Sequence, residues 1–237
     1  MPYFLSPENL IGNSEVKITG DEVRHILLAH RSKKGEVIKL QGPDGKRFNS
    51  ELVEIARNEL KFKVLEQLST PTEPIKEITL FQSVVNEKAL DFIFQKGTEL
   101  GLKSIVLFNS QSTATKLTMT QFLHKKDRWE RILMESAKQC ERVKIPSLEF
   151  ISNLDEVLSE LNDFKQVLLA DVAGLKLKPN DYKLKAIGIL VGPEGGFTEE
   201  EVEILKKQKN ILPVNLGSLI LRAETAVLKL TSILNNI

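Results

Sequence analysis

The chain is 237 residues long, 41% hydrophobic and 27% charged, a balance that suits a globular protein of one large or two smaller domains with a sizeable core. Its 33 basic residues against 32 acidic ones leave a formal net charge of +1, so affinity for nucleic acid must come from a local patch rather than global charge. The single cysteine, Cys140, excludes an internal disulfide, and with His25, His30 and His124 it matches no zinc spacing, so no metal site is implied.

Met1-Pro2-Tyr3-Phe4 opens without a basic, apolar, cleavable leader, and no apolar run reaches membrane-spanning length. The expectation is a cytoplasmic protein with no membrane partner. A short amphipathic helix is predicted around Asp21 to Ala29. After it come a strand at Val37 to Leu40, a turn at Gly42 to Gly45, a strand at Phe48 to Ile55, a turn at Arg57 to Glu59, and alternation at Leu60, Phe62 and Val64. This β-meander predicts a small β-barrel or sheet domain over residues 1–72, with the polar, twice-prolyl segment Ser69 to Pro74 as its boundary. Its cations Arg24, His25, His30, Arg31, Lys33 and Lys34, with Lys46 and Arg47 on the hairpin, form a candidate RNA patch, although a charge cluster this small is usually just a solvated face.

From residue 73 to 237 strands and helices alternate. Strands are predicted at Ile78–Val85, Ser104–Phe108, Leu148–Ile151, Gln166–Ala170 and Ala186–Val191, and helices at Lys88–Leu100, Lys126–Arg142 and Leu154–Leu161. That order predicts an α/β domain with a mainly parallel sheet covered on both faces. Cys140 then reads as a small, buried side chain on the second of these helices, the one ending at Arg142. A second cationic cluster, Lys125, Lys126, Arg128, Arg131 and Lys138, lies on or near that helix, part of it on one solvent face.

Two loops near the C-terminus carry most of the chemical information. Ala186 to Val191 is followed by Gly192-Pro193-Glu194-Gly195-Gly196 and then by Thr198 and Glu201, the spacing of a capping box. Ile211 to Leu216 is followed by Gly217 and by a helix apolar at Ala226, Val227, Leu230, Ile233 and Leu234. Strand-to-helix loops rich in glycine expose backbone N–H groups and let a ligand approach the main chain. In an open parallel sheet they lie where ligands bind, beyond the carboxyl ends of the strands. Neither loop matches a dinucleotide or P-loop fingerprint.

The pair Gly-Pro-Glu-Gly-Gly and Leu216-Gly217-Ser218-Leu219-Ile220-Leu221-Arg222-Ala223-Glu224-Thr225-Ala226 resembles the knot motifs of the SPOUT methyltransferases, most closely the RsmE family of 16S rRNA uridine N3 methyltransferases. Gln95 to Gly101, Glu135, Gln139 to Arg142 and Pro146 extend the likeness, and His25, Arg31 and Gly35 resemble its PUA-like RNA-binding barrel. The resemblance implies a SPOUT-type parallel sheet with a C-terminal trefoil knot and an N-terminal PUA-like barrel. It implies S-adenosylmethionine (SAM) as methyl donor, 16S rRNA or the assembled small ribosomal subunit as partner, and a homodimer. The chain departs from the family at three places: Pro2-Tyr3-Phe4 lacks the usual preceding arginine, Ser112 or a neighbour replaces a basic residue, and Leu219 replaces the first arginine of Arg-Ile-Leu-Arg.

Carried onto this sequence, the resemblance implies SAM contacts at Leu169, Gly192, Glu194, Gly196, Leu216, Gly217, Ile220 and Leu221, and RNA contacts at Arg24, His25, Arg31 and Lys34. SAM carries its own electrophilic methyl group, so the protein must align the acceptor and stabilise charge developing on uracil O2 or O4 as the N3 proton leaves. Arg222 is the catalytic candidate; a pair with Glu224 or with a partner subunit's carboxylate is its structural alternative. Glu194 can bind ligand hydroxyls or amine, accept the proton, or simply hold its own loop. The rival functions are a non-catalytic RNA-binding or ribosome-assembly protein of the same fold and a ribose 2′-O-methyltransferase.

Overall fold

The structure is a computed structural model that describes residues 3–69, 73–178 and 184–235. The chain separates into two compact units, one running to Glu73 and including Ala137–Lys144, the other comprising Pro74–Ser136 and Ile145 onward. Residues 70–72 of the expected boundary lie outside the described residues.

In the first unit β1 (Tyr3–Leu5), β2 (Glu15–Thr19), β3 (Val37–Gln41), β4 (Arg47–Ile55) and β5 (Glu59–Gln67) form a sheet of order β1-β3-β4-β5-β2. β1 runs parallel to β3, and the other pairs are antiparallel. Alternation selects the buried face: Val16 and Ile18 of β2 and Leu60 and Phe62 of β5 are buried, while Glu15, Lys17 and Thr19 are exposed. The predicted helix is split. α1 (Asp21–Arg24) gives way to a π-helical turn at His25–Ala29, closed by His30 N–H donating to the His25 carbonyl at 3.1 Å. Arg31 then turns the chain with φ of 57°.

In the second unit six parallel strands are ordered β11-β9-β10-β6-β7-β8: β6 (Glu77–Ser83), β7 (Leu102–Phe108), β8 (Ser147–Ile151), β9 (Val167–Lys176), β10 (Ala186–Val191) and β11 (Ile211–Asn215). Successive residues alternate between two cores. Ile78, Leu80, Ile105, Leu107, Ile187 and Ile189 join α2 (Glu87–Glu99), α3 (Met119–Gln139) and α6 (Ala223–Asn235) on one face. Phe81, Val106, Phe108, Leu169 and Leu190 join α4 (Leu154–Leu161) and α5 (Glu199–Lys206) on the other. The strands are apolar on both faces because both are covered.

Two element boundaries differ from the sequence reading. α3 begins at Met119, seven residues before the predicted start, because Thr118 and Gln121 cap it reciprocally: Gln121 N–H donates to Thr118 Oγ1 at 3.2 Å and Thr118 N–H to Gln121 Oε1 at 2.9 Å. It ends at Gln139, and Glu141 is left-handed at φ of 59°, so Cys140 and Arg142 stand beyond the helix and Cys140 is half-buried. β9 runs to Lys176 instead of stopping at Ala170. Its register with β11 jumps from Leu169–Pro213 to Leu175–Val214, leaving residues 170–174 bulged out of the pairing. Gly174 makes the resumption possible, since a Cβ there would lie 2.5 Å from the Val214 nitrogen.

Candidate active site

Strand order reverses about β6 and β10, and beyond the carboxyl ends of β9, β10 and β11 lies a cleft of about 390 Å³, within the range of small-molecule sites. Leu169, Ala170, Asp171 and Val172 of β9 and its bulge form one wall, and Gly192 to Phe197 a second. Asn215, Leu216, Gly217, Leu219, Ile220 and Leu221 form a third, and Ala223 and Ala226 of α6 the floor. The two glycine loops, separated by some twenty residues of sequence, thus face one space. Its lining contains two carboxylates, Asp171 and Glu194, and no Lys or Arg among the described residues.

The first loop is held from several directions. Gln82, buried at the end of β6, donates from Nε2 to the Gly192 carbonyl at 3.3 Å. Asn86 donates to Glu194 Oε1 from both its backbone nitrogen and its Nδ2, each at 3.0 Å, while its Oδ1 caps α2. Ser112 Oγ donates to the Gly196 carbonyl. Glu201, 1% exposed, accepts from Gln111 N–H at 2.7 Å and from Thr198 N–H at 2.9 Å, completing the capping box that starts α5. Burial alone would raise the Glu194 carboxyl, but the backbone N–H groups of Asn86 and of Glu194 itself, with the Asn86 side chain, outweigh it and hold the group below its ordinary value. Asp171 is fixed by Lys206 at 3.0 Å and by Ala173 N–H at 2.9 Å.

The RNA methyltransferase domain family matches residues 71–235. Over 221 residues the chain is 31% identical to the ribosomal RNA small subunit methyltransferase E of Bacillus subtilis, covering 89% of this chain and 86% of that protein. It is 32% identical to the Aquifex aeolicus protein of the same name, covering 91% of each. The chain belongs to the RsmE family. A ribosomal RNA small subunit methyltransferase E of Neisseria gonorrhoeae, solved with bound SAM, superimposes with a TM-score of 0.86 at 28% identity over 100% of this chain and 97% of that one.

The positions expected from the RsmE resemblance divide between the cleft and the first unit. Leu169, Gly192, Glu194, Gly196, Leu216, Gly217, Ile220 and Leu221 all line the cleft. Arg222 does not line it but stands between two residues that do, exposed, at the start of α6, where its carbonyl accepts from Ala226 N–H at 2.9 Å. Among the described residues it has no ion-pair partner, so a local pair with Glu224 is not formed. In the first unit Arg24, Arg31 and Lys34 are exposed, and His25 is half-buried, edge-on to Phe4 and 3.8 Å from Glu22.

Two cations named as patch candidates belong elsewhere. Arg47 is 1% exposed: its guanidinium lies 3.9 Å from the Tyr3 ring centre and donates to Gln41 Oε1 and to the carbonyls of Glu141 and Arg142. Lys138, 2% exposed, donates to both oxygens of Glu22 at 2.9 Å. A buried charge needs a full set of partners, and these side chains have them within the first unit. In the second cluster Lys125 and Arg128 pair with Glu87 and Asp91, and Lys126 with Glu130. Sequence reasoning missed Asp171, Val172 and Asn215 in the lining and Asn86, Gln111 and Gln82 as its supports. A capping-type Asn before α2 was the one legible signal. Among the described residues no group of three or more His, Cys, Asp or Glu could hold a metal, and no helix is long and apolar enough to cross a membrane.

Proposed function

We propose that this chain transfers the methyl group of SAM to N3 of a uridine in 16S rRNA of the small ribosomal subunit. The observation that carries the reading is the charge and shape of the cleft. Apolar walls from Leu169, Leu216, Ile220 and Leu221 suit a flat adenine, and glycine backbone at 192, 195, 196 and 217 admits a close ligand. A lining without Lys or Arg, in which Glu194 is ionised and Asp171 is held by Lys206 from outside the cleft, suits a donor that is itself cationic.

SAM supplies a methyl group already activated on a sulfonium. The chain's residues supply position and charge. Glu194 keeps one oxygen on Asn86 and stays ionised, so its second oxygen serves as an acceptor for the donor's amine or hydroxyls and not as a base near neutral pH. Arg222, cationic and unpaired beside the cleft, offsets the charge that grows on uracil O2 or O4 as N3 loses its proton to water.

We further infer a knotted C-terminus, an RNA-binding first unit and a dimer. The last helix, α6, packs against α2 and β10 and threads a trefoil knot; its loop at 216–222 forms the SAM bend. The first unit is a PUA-like barrel that carries RNA contacts at Arg24, His25, Arg31 and Lys34. The molecule is a cytoplasmic homodimer, with Val172, Leu175, Leu219 and Ile220, between 67% and 90% exposed, covered by the second copy.

The test is incubation with methyl-labelled SAM and small subunits lacking native modification, followed by mapping of reverse-transcription stops, because methylated N3 cannot pair. One new stop at a uridine with matching label is expected. Label without a stop would indicate ribose methylation, and SAM binding without label a non-catalytic RNA-binding protein.

A further inference from the structure

From residue 222 to 235 the exposed positions are 222, 225 and 229: Arg222, Thr225 and Lys229. Spacings of three and four residues place them in one line along α6, with Arg222 and Lys229 two turns and about 10 Å apart along the axis. All three offer hydrogen-bond donors, and Thr225 alone can also accept.

Several cations of the second unit are tied to carboxylates, Lys96 to Glu99, Lys103 and Lys185 to Glu77, Arg128 to Asp91 and Lys206 to Asp171, while others, such as Lys88, Lys116 and Lys165, have no carboxylate partner among the described residues. Among the described residues neither Arg222 nor Lys229 has such a partner. Helical side chains lean toward the N-terminus, and Lys229 does so: its Nζ lies 3.3 Å from where a Cβ on Gly217 would sit. Gly217 lines the cleft, so the ammonium stands beside its rim.

We propose that Lys229, with Thr225 beside it on the exposed line of α6 that starts at Arg222, holds a backbone phosphate of the acceptor RNA next to the nucleotide whose base enters the cleft. The assignment rests on the methyltransferase reading above. A cleft whose lining is acidic and apolar cannot itself attract a polyanion, so the phosphates need cations placed just outside it. Lys229 is a compact charge on a flexible stem, suited to a phosphate oxygen, and Gly217 leaves it the room to fold back toward the rim. Lys229 is thus an RNA-binding residue and Arg222 remains the group at the base.

The test compares wild type with Lys229→Met and Lys229→Arg, using small ribosomal subunits lacking native modification as the RNA probe. Subunit binding by filter retention over a salt series, initial methylation rates, and SAM binding by calorimetry are measured. For Lys229→Met the KM for subunits is expected to rise about three- to tenfold near 0.1 M salt with kcat little changed. The slope of log affinity on log salt should shrink by roughly 0.7 to 1, and SAM affinity should be unaltered. Lys229→Arg should restore binding. An unchanged KM and salt slope would overturn the assignment. So would weakened SAM binding with unaltered RNA binding, which would give the ammonium to the donor's carboxylate, or an altered oligomeric state by sedimentation, which would give it to a subunit contact. If wild type binds subunits but does not methylate them, the reaction assignment fails while the filter-retention slope still decides the role of Lys229.

Discussion

The two glycine loops of the cleft share a strand–loop–helix layout but are supported very differently. The loop at 192–198 is tied to three other segments, through Gln82 at the end of β6, through Asn86 at the start of α2, and through Gln111 and Ser112 after β7. Among the described residues the loop at 216–222 has only local bonds, Gly217 N–H to Asn215 Oδ1 at 2.7 Å and the Arg222 carbonyl to Ala226. Its Leu219 and Ile220 are 76% and 90% exposed. The difference separates two tasks. A loop with buried anchors is a preformed cradle, whereas a loop with exposed apolar side chains and an unpaired arginine completes its contacts with what arrives.

The largest effect should therefore come from the sparsely tied loop's one charged side chain. Arg222→Ala is expected to lower single-turnover methyl transfer about 100- to 1,000-fold, with SAM affinity within about twofold of wild type, because its charge is used as the transition state forms. If SAM affinity falls as much as the rate does, the arginine belongs to donor binding. Next comes the foundation of that loop. Gly174→Ala must push β11 away from β9 and is expected to cost about 1–3 kcal/mol, read as a lower unfolding temperature, with SAM binding weakened in parallel. On the anchored side Glu201→Gln keeps size but turns an amide toward a backbone N–H in a site that is 1% exposed. It should cost about 1–2 kcal/mol and loosen donor binding through the 192–198 loop alone. A Glu201→Gln protein that binds SAM normally would show that the buried anchor does not shape the cradle.

What the sequence revealed follows the same division. Local patterns were readable: the Thr198–Glu201 capping box, the buried row Ala226, Val227, Leu230 and Leu234, and the alternation of β5 all follow from periods of 3.6 and 2. The cleft lining was readable because glycines mark it. Arg47 and Lys138 were not, since their partners Glu141 and Glu22 lie 94 and 116 residues away, and no local pattern separates a buried paired cation from a solvated one. The bulge at 170–174 was hidden for a related reason. It exists because β9 has to rejoin β11 past Gly174, a pairing between strands some forty residues apart, so Asp171 and Val172 entered the lining unannounced.

The smallest effect isolates a single anchor. Asn86→Ser keeps a side-chain oxygen to cap α2 but removes the Nδ2 donor to Glu194, leaving the backbone N–H of residue 86 in place. In wild type the Glu194 carboxyl is held below its ordinary value, so the contribution of this contact is complete above about pH 4.3 and is lost as pH falls through the depressed value. SAM affinity should accordingly be flat from neutral pH to about pH 5 and decline only in more acid solution. Without the Nδ2 donor, burial is less fully offset and the carboxyl rises. The decline of Asn86→Ser should then begin at higher pH than in wild type, with affinity at neutral pH reduced less than about tenfold because the carboxylate is exposed. Superimposable pH profiles for the two proteins would mean that the backbone N–H groups of residues 86 and 194 alone set the charge of Glu194. The cradle's tie to the start of α2 would then be a matter of position and not of electrostatics.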